Sequence, residues 1–303
     1  MSAIPPDPLD ATSSTSAPVF RAVFDNALDA MLIIHERGDY VEANAAACRL
    51  LGRSREELLR MQVGGVSPVG MDPSGIWREV REKGLYTGAW RVQRPDGTTR
   101  DVEFTASTFW PGLKLSVMRD VTDRDRRTVQ LQRLSDAALA IGAATSVDEI
   151  SRVATEAARA IIGAHQAVTS FSGENWAQAI HAVSLSGKYA AYRAYDTPPD
   201  GSGIYQVVCR TNRPQRLTQA EMEAHAEWRG FGAEASRHPP MRGWLAVPLM
   251  GRDGRNLGLI QLSDKHEGDF DENDEAILVQ LAQLASEAIE NARLLDLDRK
   301  SVV

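Results

Sequence analysis

The sequence predicts an α+β protein: two antiparallel-sheet domains joined by a helical connector with a coiled-coil pattern. Three observations carry this. Short apolar runs broken by turn residues recur in two blocks, residues 31–121 and 165–262. Helical periodicity fills the stretch between them, and a sustained seam closes the chain from Ile277 to Leu295. A length of 303 residues suits two domains at about 100–200 residues each.

The elements follow in order. Residues 1–18 hold Pro5, Pro6, Pro8 and Pro18 around a Ser/Thr run. Too little apolar surface is there to offset chain entropy, so a disordered leader is expected, with order starting near Val19. Met31–His35 and Tyr40–Ala43 flank the turn Glu36–Asp39 and read as a hairpin. Asn44 caps a short helix that Gly52 stops, and Ser54 with Glu57 forms a capping box. A helix over Pro73–Lys83 ends at Gly84, and three strands follow: Thr87–Arg94, Thr98–Phe109 and Leu113–Val121. Pro95-Asp96-Gly97 turns the first of these into the second.

From Thr122 the period becomes helical. Leu131, Leu134, Ala138 and Ile141 make a short seam, and Ser146 caps a second helix, Val147–Ile162. Strands are expected at His165–Phe171 and Trp176–Ser184, then a helix from Ser202 towards Arg210 and a polar, helix-prone loop through His238. Two apolar strands, Gly243–Met250 and Asn256–Leu262, precede a long helix over Asp271–Asp298. On it Ile277, Leu281, Leu284, Ala288, Asn291 and Leu295 follow a heptad-like step, which asks for a partner helix.

Composition excludes several function classes. Lys+Arg 34 against Asp+Glu 41 gives a net charge of -7, which argues against a nucleic-acid binder. Two cysteines, Cys48 and Cys209, make neither a disulfide framework nor a four-thiolate zinc site, and no metal site is expected. The N-terminus lacks a signal-peptide pattern, and no apolar run nears the roughly 20 residues of a membrane span. A cytoplasmic protein with no membrane partner is expected.

The first block resembles a PAS domain over residues 19–125. Met31-Leu32-Ile33-Ile34, Asn44 to Gly52, Ser54 to Leu58, Arg94 to Thr98 and Asp120-Val121-Thr122 carry the resemblance. The second resembles a GAF domain over residues 147–298. Gly243 to Leu249, Leu257 to Leu262, Phe270-Asp271-Glu272 and Ala288 to Ala292 carry it. Residues 126–146 form the helical linker and 299–303 a tail. Together they resemble the sensory region of bacterial sensor histidine kinases. The resemblance implies antiparallel sheets that enclose a pocket, and helices that dimerise. It also implies a signalling role through Asp120, Thr122 and Arg124, where a PAS domain hands over to its following helix.

No catalytic residues are expected: P-loop, Rossmann and diguanylate cyclase signatures are missing, and only Arg299–Val303 follow the last helix, too little for a kinase core. A contact between Asp120 and Arg124 could set the helix exit angle; simple strand-end capping is the rival. The dimer seam is assigned to Leu131, Leu134, Ile141, Ile277, Leu281, Leu284, Ala288 and Leu295. A ligand pocket is expected first in the GAF-like half, at Cys209, His225, Trp228, Phe231 and His238, because the loop Thr218–Pro240 is long and rich in aromatic and histidine side chains. Plain packing under the loop is the competing reading of Trp228 and Phe231. In the PAS-like half Trp77 and Trp90 are the pocket candidates, with core packing as their rival. The cofactor is left open, with covalent bilin and flavin-photoadduct chemistry disfavoured for want of a suitable cysteine. The expected function is a homodimeric module that senses a small molecule or partner and relays it to an output such as a histidine kinase outside this chain. A non-sensing adaptor that binds a kinase or regulator is the first alternative, and a chromophore- or redox-cofactor-bearing sensor the second.

Overall fold

The computed structural model describes residues 16–172, 178–193, 203–230 and 237–301. The chain divides into two compact units, between Thr128 and Val129.

In the first unit the helix α1 (Ser16–Asn26) precedes the hairpin β1 (Ala30–His35) and β2 (Tyr40–Ala43). Three short helices follow, α2 (Ala45–Leu51), α3 (Arg55–Leu58) and α4 (Ser74–Lys83), then the strands β3 (Leu85–Gln93), β4 (Thr99–Trp110) and β5 (Leu113–Asp120). Helix α1 starts inside the segment expected to be a disordered leader. The strands form an antiparallel sheet in the order β2-β1-β5-β4-β3. Register aligns Ala43, Leu32, Ser116, Ala106 and Tyr86 in one row across it. Leu32, Ile34, Val92, Val102 and Met118 form the core with Leu50, Leu51 and Leu58 of the helices.

Local chemistry sets the helix ends. The side-chain oxygen of buried Asn44 accepts from Ala47 N at 2.8 Å and Met31 N at 3.0 Å. Its amide donates to the carbonyls of Phe24 and Asp29, both at 3.0 Å. One asparagine thus caps α2 and ties it to β1 and the end of α1. Gly52 ends α2 in the left-handed region, and the Ser54–Glu57 capping box starts α3.

Helix α5 (Thr122–Ala143) crosses the unit boundary in sequence, and α6 (Val147–Ile162) opens the second sheet. The strands are β6 (Ala164–Ser172), β7 (Gln178–Leu185), β8 (Gln215–Leu217), β9 (Trp244–Met250) and β10 (Asn256–Lys265). Their order is β7-β6-β10-β9-β8, the same relative order as in the first unit. Helices α7 (Ile204–Thr211) and α8 (Gln219–Ala224) flank the edge strand β8, and α9 (Glu272–Ser301) ends the described chain. Edge strand β8 and helix α8 occupy part of what the sequence suggests is loop; three residues are too few to show an alternation. Leu245, Val247, Leu249, Ile260 and Leu262 pack under α6 and α9, while Trp244, Ala246 and Leu259 pack under α7 and α8. Gly258, at φ +150°, is forced by the close strand: a Cβ there would lie 2.0 Å from the Ser170 carbonyl oxygen.

The seam residues divide differently from expectation. Ile141, Ile277 and Leu281 are buried in the core of the second unit, and Leu134, Leu284 and Ala288 pack against it. The heptad-like step serves a helix packed on α6 and β9 of its own unit, so these side chains are not a free coiled-coil face. Leu131 and Leu295 stay 68% and 62% exposed.

Candidate functional site

The first unit holds a half-open cavity of about 80 Å³ between its sheet and α4. Space arises there because small residues occupy the middle of the sheet: Ala106 and Ser116 face each other across β4 and β5. Larger side chains wall it, among them Trp77 of α4, Trp90 of β3, Val102, Phe104 and Met118. Trp90 Nε1 donates to Ser67 Oγ at 3.1 Å, which fixes the indole against the loop ahead of α4. The lining has three hydroxyls, on Tyr40, Ser67 and Ser116, and no charged side chain. Burial pushes the Tyr40 phenol well above its ordinary value, so it stays a neutral donor. Such a site can hold a small, mostly apolar molecule and offer hydrogen bonds to a polar group on it.

The structure brings both sequence-named tryptophans, Trp77 and Trp90, into this lining. Tyr40, Ser67 and Ser116 were missed. Their contribution depends on strand register and on the course of the loop before α4, and neither is encoded in a local pattern.

At the exit of the sheet, Asp120 Oδ1 accepts from Thr122 N at 3.0 Å, and Thr122 Oγ1 accepts from Asp101 N at 2.9 Å. Val121 N also donates to the Asp101 carbonyl at 2.9 Å. The start of α5 is therefore bound to β4. The expected Asp120–Arg124 contact is not made. Arg124 instead reaches Glu103 Oε1 at 2.6 Å and Asp125 Oδ1 at 3.0 Å. The physical reason is that one Asp120 oxygen caps the helix while its other oxygen lies 3.9 Å from Arg100 Nε.

A second anchored carboxylate stands on the edge strand β2. Glu42 accepts from Arg55 Nε at 2.5 Å and from Arg21 Nη1 at 2.8 Å. Burial raises its pKa, but the bonds from Arg55, Ala43 N and Arg21 outweigh this and hold the carboxyl below its usual range.

Of the residues expected to form a GAF-side pocket, Cys209 and Trp228 occupy packing positions. Cys209 is buried with Ile204, Val208, Met222 and Trp244, and Trp228 packs against the same group. Ser172 Oγ lies 3.7 Å from Cys209 Sγ. His225 follows α8 and accepts at Nδ1 from Glu227 N at 3.1 Å. His238 Nδ1 lies 2.6 Å from the Pro239 carbonyl oxygen, and burial lowers its pKa against the opposing effect of that bond. Phe231 lies outside the described residues. Near the start of β6, buried Asp264 accepts from Lys188 Nζ at 2.5 Å and from the Tyr189 hydroxyl. Its carboxyl is raised by burial and lowered further by these two partners, ending below its usual range.

Residues 20–118 match the family model of the PAS fold, and residues 144–290 match that of the GAF domain. Sporulation kinase E of Bacillus subtilis is 28% identical over 127 residues, covering 41% of this chain and 17% of that protein. The methyl sulfide methyltransferase-associated sensor of Methanosarcina acetivorans is 25% identical over 301 residues, covering 91% of this chain and 28% of that protein. The chromophore-binding domain of a bacteriophytochrome from R. palustris is 11% identical, with a TM-score of 0.47, over 88% of this chain and 94% of that chain. The chain thus spans less than a third of either curated relative, and the described residues contain no helix long and apolar enough to cross a membrane.

Proposed function

We propose that this chain, a PAS-fold domain followed by a GAF domain, is a sensory module in which the PAS-fold cavity takes up a small molecule and α5 carries the response. The output, such as a histidine kinase, lies outside this chain. The half-open cavity walled by Trp77 and Trp90 is the observation that supports this reading most. The relay follows from the strand that lines the cavity. Val102 and Ala106 of β4 line it, and Asp101 of the same strand holds Val121 and Thr122 at the start of α5. A ligand that favours one position of β4 would bias the first turn of that helix. The module acts as a homodimer, with exposed Leu131 and Leu295 as its apolar contacts; this part of the reading draws support from their exposure.

Hydrogen exchange tests the proposal. A low-molecular-weight cell extract should change exchange across residues 122–131 of the wild-type chain and leave Ala106→Leu, whose added carbons fill the cavity, unchanged. An equal response in both proteins, or none in the wild type, would contradict it.

A further inference from the structure

Resting on the cavity as the sensing pocket, we propose that its ligand is a small uncharged molecule of about three to five heavy atoms carrying one hydrogen-bond acceptor, such as a short ketone, ether or thioether. Size sets the first limit. An apolar protein cavity that binds benzene measures about 150 Å³. The cavity here is about 80 Å³, and its open side lets an atom or two protrude. A flavin or haem ring system is far larger than this space.

Charge sets the second limit. None of the lining side chains carries charge, and an ion buried without a counter-charge costs several kcal/mol, so a carboxylate or ammonium ligand is rejected. Lys114 is the nearest candidate to challenge this. It stands two residues before Ser116 on β5, is 4% exposed, and its Nζ donates to Thr108 Oγ1 at 2.5 Å. It is outside the lining, and no carboxylate among the described residues pairs with it.

Hydrogen bonding sets the third. Tyr40 and Ser116 are buried residues, and both belong to the lining of the cavity. Ser67 already accepts the Trp90 N–H. A ligand that displaces water from these hydroxyls must offer an acceptor in its place, or it leaves a donor unpaired at a cost of about 1–3 kcal/mol. These hydroxyls on the cavity wall separate the site from ordinary core packing. They favour a ketone or thioether over an alkane of the same size.

The Trp90 indole N–H resonance reports on the site, identified in the full chain by its loss in Trp90→Phe. The probes are 2-butanone and propanoate, which share a skeleton and differ by a methyl group against a charged oxygen. A five-atom ligand should bind in the millimolar range. The Trp90 signal is expected to shift saturably with 2-butanone, at a midpoint at least about tenfold below that of propanoate, tenfold being about 1.4 kcal/mol. Ala106→Leu should abolish the shift. Should that variant not fold, Ser116→Val, which keeps volume and removes the donor, should weaken 2-butanone binding. Propanoate binding as well as 2-butanone would overturn the uncharged class and leave the cavity as a pocket. No shift with either probe would overturn the class as a whole. The sensing role of the cavity stands or falls separately, on the exchange response of α5 to extract.

Discussion

The two units have the same relative strand order and differ in what their sheets hold. In the PAS-fold unit, small residues at Ala106 and Ser116 leave space that Trp77 and Trp90 wall off. In the GAF unit the described residues put large side chains on both faces of the sheet: Leu245, Val247 and Ile260 under α6 and α9, and Trp244 and Leu259 under α7 and α8. Topology positions a sheet, and side-chain volume along a few registered rows decides how much space is left beside it.

Truncation sharpens this difference most. Leu281→Ala and Leu259→Ala remove fully buried side chains from packed clusters and should each cost about 2–5 kcal/mol in chemical denaturation. Ile76→Ala, at the cavity wall, should cost less than about 2 kcal/mol, since one side of that residue already lacks neighbours. Leu295→Ala should leave packing within the GAF unit almost unchanged, because the side chain is largely exposed in one subunit, and should show instead as weaker dimerisation in sedimentation. Equal losses at Leu259 and Ile76 would break the contrast.

Acid sensitivity offers a second comparison, because each unit has a buried, anchored carboxylate held below its usual range, Glu42 in the first and Asp264 in the second. Both are held below their unfolded values, so the unfolded chain binds more protons as pH falls. Their contribution is present above the unfolded values near 4 and disappears as pH falls through the folded ones. Stability should be flat with respect to these two groups above about pH 6. Glu42→Gln and Asp264→Asn should each lower stability by about 1–2 kcal/mol at neutral pH, with the exposed parts of Arg55 and Lys188 limiting the loss. Each variant should also show a weaker loss on acidification in urea titrations from pH 7 to pH 3. Asp264 has a left-handed backbone, φ 58°, which asparagine also tolerates, so the replacement isolates the charge.

The smallest effect concerns the joint. Asp120→Ala removes the acceptor of the Thr122 N–H and should cost about 0.5–1 kcal/mol, with faster exchange confined to the first turn of α5. Arg124→Ala should leave both exchange and midpoint unchanged, since its partners Glu103 and Asp125 are themselves exposed.

How much of this was legible in the sequence depends on how local each feature is. Asn44, Gly52 and the Ser54–Glu57 box are visible because a cap involves residues a few positions apart. Strand β8 was not, being three residues at a sheet edge. The step from Ile277 to Leu295 was visible as a period, but a period does not say whether its partners are α6 and β9 of the same unit or a second copy of the helix. Asp120 and Thr122 stood out, whereas their partner Asp101 lies about twenty positions away and becomes visible only through strand pairing. In the cavity, aromatic residues advertise themselves. The space beside them is made by Ala106 and Ser116, whose juxtaposition depends on the register of β4 against β5.

The most direct test is diffraction from crystals under xenon pressure, since xenon enters dry apolar cavities and needs no knowledge of the natural ligand. The account predicts a xenon site bounded by Trp77, Trp90, Ala106 and Ser116, and none within the cluster of Val208, Cys209, Met222, Trp244 and Leu259. Xenon lodged in that GAF cluster, with the PAS-fold site unoccupied, would contradict it.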